Sequence, residues 1–241
     1  MSALLMLLDD FVTRSAEGFS FSRLQSCSFA KQIATDFNPI HDVDAKRFCV
    51  PGDLLFAYLL SHYGLSKELS CTFAGMVSAD VLLHCEQHGT ELRICDAQGK
   101  VYLSLQQQGE SSHDLTVIEP LIRDYVQFSG QNFPHILQPL MQQHNVMIHP
   151  GRPLVIYESM ALSFDTMPTA RVELSLAASS LQVEGKRGNV LLQFVLTQQG
   201  QQIGRGEKRM ILSNLQAYDE QQMQLMIAEY DRRKNLSRVQ C

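Results

Sequence analysis

An aspartate and a histidine five residues apart, with an asparagine and a proline between them, make Asp36-Phe37-Asn38-Pro39-Ile40-His41 the segment of this chain best suited to chemistry. A carboxylate and an imidazole carried on one bent loop can aim at a single water molecule, take a proton from it and deliver one to a neighbouring atom. Asn38 and Pro39 are the loop-shaping residues, the proline by fixing its own backbone angle and the asparagine by bonding its side chain to nearby backbone. Pro51-Gly52-Asp53 then opens an apolar segment. A helix that starts there points unsatisfied N–H groups and the positive end of its dipole at one place, where a developing oxyanion is stabilised. The N–H groups of Gly52 and Asp53 are the ones that begin it. Asp53 brings a negative charge beside it, which either weakens that site or faces away and favours the helix start.

Other reactive side chains give weaker patterns. Cys49 precedes the helix, but no Cys-His-acid arrangement accompanies it, and a buried inert thiol is the better reading. His84, Cys85 and His88 resemble metal ligands in type, yet a strand and a turn need not direct His84 and His88 alike, so no metal is expected. Gly204-Arg205-Gly206 lacks the third glycine and strand-to-helix setting of a dinucleotide site. Arg205, Lys208 and Arg209 could meet coenzyme A phosphates, although a solvated strand face explains them better.

The elements that must hold these groups follow from hydrophobic periodicity. A β-like run at 19–24 and a helical patch at 29–34 precede the motif. Residues 54–65 are apolar nearly all round, as a helix is when covered on most sides. Strand-like runs follow at 69–76, 80–86, 91–95 and 100–108; in the last, Val101, Leu103 and Leu105 alternate with Tyr102, Ser104 and Gln106. After a polar link at Ser111-Ser112-His113-Asp114 the order repeats: a short run at 115–118, helical patches at 121–128 and 134–143, then strands at 153–164, 171–183, 190–197 and 202–212. Met223, Met226, Ile227 and Tyr230 fall at helical spacing in a tail helix at 217–233. Packing within the chain is preferred over partner binding for that helix.

The expected class is α+β: a double hotdog, with an antiparallel sheet wrapped around central helices and a C-terminal helix added. Residues 1–112 form the first hotdog, 113–215 a degenerate second one, and 216–241 the helix and tail. At 241 residues, with 45% hydrophobic and 19% charged side chains, the composition is that of a folded protein with room for two cores. A net charge of -5 with dispersed basic residues excludes a nucleic-acid footprint. The apolar start at 3–8 runs into Asp9-Asp10 and is too short for a signal peptide or a membrane span. Six scattered cysteines are expected as reduced thiols, so a cytoplasmic location is expected.

The motif resembles the signature of R-specific enoyl-thioester hydratases, the MaoC-like branch of the hotdog superfamily, which reads roughly Ser-Gly-Asp-x-Asn-Pro-aliphatic-His. The pattern covers residues 19–108, and the motif itself some thirty residues. The resemblance implies hydration of a trans-2-enoyl thioester to an R-3-hydroxyacyl thioester, as in fatty acid metabolism, with Asp36 and His41 catalytic and Gly52 the oxyanion donor. It implies no cofactor beyond the coenzyme A or acyl carrier of the substrate. A non-catalytic acyl-thioester or protein-binding module stays open, as does an acyl-CoA thioesterase, because a fold alone does not choose a reaction. A monomer or a homodimer is expected. Ala34-Thr35 replaces the usual Ser-Gly, Pro51-Gly52 replaces His-Gly, and the connection at 42–50 is short. A fainter echo, Phe128-Ser129-Gly130-Gln131-Asn132-Phe133-Pro134, puts Gln131 in the place of Asp36 and Ile136 in that of His41. Neither can act as acid or base.

Overall fold

The computed structural model describes residues 8–239, with side chains described through 236. Apart from Leu8, the apolar start at 3–8 lies outside the described residues. A short hairpin, β1 (Thr13–Ser15) and β2 (Gly18–Ser20), leads into helix α1 (Arg23–Ser28), which continues as a wider turn over Phe29–Ile33. The expected strand at 19–24 is thus cut short at Ser20. Ser22 explains why: its hydroxyl accepts from the Gln25 N–H (3.1 Å), while the Gln25 side chain accepts from the Ser22 N–H (2.9 Å), a reciprocal cap that commits the chain to a helix.

After the motif loop comes α2 (Gly52–Tyr63), buried from Asp53 through Leu60, as its unbroken apolar sequence requires. Gly64, with φ of 81°, ends it at Tyr63, two residues before the expected boundary. Strands β3 (Leu65–Phe73), β4 (Leu83–His88), β5 (Glu91–Asp96) and β6 (Val101–Ser112) follow.

The second half begins with α3 (Leu115–Gly130), capped by Asp114. This single helix replaces the two segments expected at 115–118 and 121–128. Pro120 removes only the donor for the carbonyl of Thr116, which sits at an exposed position where water can compensate. Helix α4 (Leu137–Gln143), β7 (Val146–Ile148), β8 (Leu154–Phe164), β9 (Glu173–Glu184), β10 (Arg187–Gln198), β11 (Gln201–Ser213) and β12 (Leu215–Ala217) complete this half. Last is α5 (Glu220–Val239); its expected start at 217 is taken by β12, which pairs with β7. Met223 and Tyr230 of α5 are buried within the chain.

One sheet of ten antiparallel strands runs in the order β1-β2-β4-β5-β6-β3-β8-β11-β10-β9. The seam between the halves lies inside this sheet, where β3 pairs with β8 in the register Leu69↔Leu162 and Cys71↔Met160. Helices α2 and α3 pack on each other inside the curve of the sheet, with Phe56 and Tyr125 edge to face at 5.0 Å. In each half the order helix, proline-containing loop, helix leads to a run of four antiparallel strands in the large sheet, β3–β6 and β8–β11, so the chain has the double-hotdog architecture of the α+β class. Among the described residues, no helix is long and apolar enough to cross a membrane.

Candidate active site at the seam

The motif loop is built by its own backbone. Thr35 takes a left-handed conformation, φ of 52°, the turn for which a glycine would be the easier choice. Its Cβ therefore does not block the turn, and its hydroxyl accepts from Gln131 Nε2 at 3.1 Å. Asp36 Oδ1 accepts from the Asn38 N–H (2.8 Å), and Asn38 Oδ1 accepts from the Ile40 N–H (3.2 Å). Pro39 opens the single helical turn Pro39–His41. The short connection doubles back, with the Cys49 N–H on the Ile40 carbonyl at 3.1 Å.

That return fixes the histidine. His41 is buried, and its Nδ1 donates to the Cys49 carbonyl at 2.7 Å, since a carbonyl can only accept. In the neutral ring Nε2 then carries the lone pair. It faces Asp36 Oδ2 at 3.6 Å, too far for a direct hydrogen bond. Two acceptors set this far apart suit a bridging water that donates to both and presents its oxygen outward.

Gly52 joins Asp36 and His41 in the wall of one cavity of about 190 Å³. The helix's own bonds begin with the Leu54 and Leu55 N–H groups on the Pro51 carbonyl, so the Gly52 and Asp53 N–H groups precede them at the dipole's positive end. A Cβ on Gly52 would lie 2.8 Å from the Phe73 ring, which accounts for glycine at this position. Cys49 also lines the cavity, but burial pushes its thiol up to about 11, so the inert reading fits.

Asp53 faces away from this cavity. Its Oδ2 accepts from the Ser129 hydroxyl at the end of α3, and Ser129 Oγ accepts from Lys208 Nζ on β11. The Lys208 ammonium also sits 3.4 Å from the centre of the Tyr157 ring on β8, and the Tyr157 hydroxyl is 3.3 Å from Ser129 Oγ. Burial raises the Asp53 carboxyl, opposed by Lys208. Burial lowers the Lys208 amine to about 8, opposed first by Asp53 and then by Asp36.

Lys208 corrects the sequence reading of Arg205, Lys208 and Arg209 as a solvated face: Arg205 and Arg209 are exposed, whereas Lys208 is fully buried. The signal was present, because strand alternation puts Lys208 in step with Met210 and Leu212, both buried. Ser129 and Tyr157 had no such signal. His84 and His88 also differ from expectation: they share a face of β4, and their Nε2 atoms reach Glu86 at 3.0 and 3.2 Å. Among the described residues, no group of three or more His, Cys, Asp or Glu is placed to hold a metal ion.

The echo in the second half lies against the motif. A Cβ on Gly130 would stand 2.1 Å from the Ala34 carbonyl oxygen and 3.1 Å from Asp36 Cβ, so the two loops touch here through glycine.

A double hotdog with a carboxylate and an imidazole converging at its seam defines the class. The family described as "Protein of unknown function (DUF3581)" matches residues 6–221, and the chain belongs to that family. No curated protein matches it significantly. Among solved structures, it is similar to an acyl-CoA thioesterase II from Mycobacterium marinum at 11% identity and a TM-score of 0.43, covering 88% of this chain and 98% of that one. It is also similar to a MaoC-like dehydratase from Phytophthora capsici at 12% identity and a TM-score of 0.37, covering 78% and 92%. A hotdog protein from Alicyclobacillus acidocaldarius matches at 9% and 0.37, covering 91% and 100%. These likenesses are of fold.

Proposed function

We propose that this protein is an acyl-thioester hydratase or dehydratase of the MaoC-like kind, interconverting a trans-2-enoyl thioester and an R-3-hydroxyacyl thioester. The observation that carries the reading is the facing of His41 Nε2 and Asp36 Oδ2, 3.6 Å apart, in a cavity that Gly52 also lines. A water held between them loses a proton to the pair as its oxygen bonds to the carbon β to the carbonyl. The displaced electron pair moves to the thioester oxygen, which the N–H groups at the start of α2 stabilise. The pair then returns a proton to the α carbon. No bound group is required beyond the carrier of the substrate.

The test follows the absorbance of the conjugated enoyl thioester across chain lengths. Wild type is expected to abolish it, and Asp36→Asn or His41→Ala to slow the loss by about 10²–10⁴-fold. Free thiol appearing in place of the hydroxyacyl product overturns the reading in favour of hydrolysis. Equal inactivity of wild type and variants, with a thioester still raising Tm, overturns it in favour of a binding module.

A further inference from the structure

A second cavity, of about 350 Å³, lies under the terminal helix α5 and shares the walls Asp36, Asn38, Val155 and Tyr157 with the first. Resting on the proposed function, we infer that this cavity is the compartment for the acyl chain and that the substrate is a thioester of a medium-length chain.

The order of groups along the two cavities matches the order of atoms in such a substrate. Gly52 and His41 line the first cavity only, Asp36 lines both, and the second continues away from Gly52. With the carbonyl oxygen at Gly52 and the carbon β to it at Asp36, the rest of the chain has to leave through the second cavity. Phe133, Leu137, Ile148 and Met226 give that cavity a largely apolar wall. Its roof is held to the motif loop itself. Tyr230 of α5 packs edge to face on Phe37 and on Phe133, each at 5.7 Å, and Arg233 forms an ion pair with Asp42, next to His41.

At ~30 Å³ per water-sized group, 350 Å³ accommodates on the order of ten methylenes.

The experiment measures binding of saturated acyl-pantetheine thioesters, butanoyl through hexadecanoyl, by calorimetry on the full chain. Saturated thioesters cannot be hydrated, so the result is independent of turnover, and the hydratase reading stands or falls on the absorbance assay alone. Wild type is expected to gain about fourfold in affinity per added methylene and then level off when the cavity is full. Met226→Trp, which fills the cavity from its roof, is expected to lower the long-to-short affinity ratio at least tenfold. A wild-type profile flat with chain length, or a ratio unchanged in Met226→Trp, overturns the assignment of the compartment.

Discussion

Between Asp53 on α2 and Lys208 on β11, the Ser129 hydroxyl accepts one hydrogen bond and donates another, so three elements meet at one buried pair of opposite groups bridged by a hydroxyl. Removing one member strands the other charge in the interior, at a cost of about 3–5 kcal/mol. Lys208→Met is therefore expected to destabilise by about that much in urea unfolding, and adding Asp53→Asn to recover part of the loss. Strict additivity of the two substitutions would show that the pair does not interact. The pH dependence has a definite sign. The native Lys208 amine titrates near 8 and the unfolded one near 10.5, so between these values the unfolded chain holds more protons. Stability from this group rises with pH across that window and is constant below it. Wild type should gain on Lys208→Met between about pH 8 and 10.5, and a gap that narrows there would contradict the depressed value.

At the level of elements, the motif loop keeps its shape because α3 ends in Gly130. Gly130→Ala would drive a methyl group into the Ala34 carbonyl, forcing α3 and the loop apart. Overpacking of this kind costs about 1–3 kcal/mol. Hydration should fall with stability, and a variant of wild-type Tm and rate would show that the loops do not bear on each other. This contact also marks the limit of what the sequence could disclose. Asp36, Asn38, Pro39, His41 and Gly52 were legible because a loop and a helix start are local, written in neighbouring residues. The strands from β3 onward, except the short β7 and β12, were legible from alternation and turn residues. Pro120 misled because its cost depends on whether one carbonyl meets water, which only the fold decides. Ser129 and Tyr157 stayed hidden because they arrive through contacts between distant parts of the chain, Ser129 through the packing of α3 on α2 and Tyr157 on β8, which pairs with β3.

For the whole molecule, that same pairing makes the site a joint product of the two halves. Asp36, His41 and Gly52 come from before the seam, whereas Val155, Tyr157 and Asn132 come from beyond it. Leu69 must find Leu162, and pairings so remote in sequence form slowly. The consequence is one of timing. While the chain is being made, β3 waits as an open edge until β8 has emerged, and during that interval nothing that depends on the site can occur. In refolding from urea, helical circular dichroism should return first and thioester binding only afterwards. Simultaneous recovery of the two signals would mean that the halves do not wait for each other.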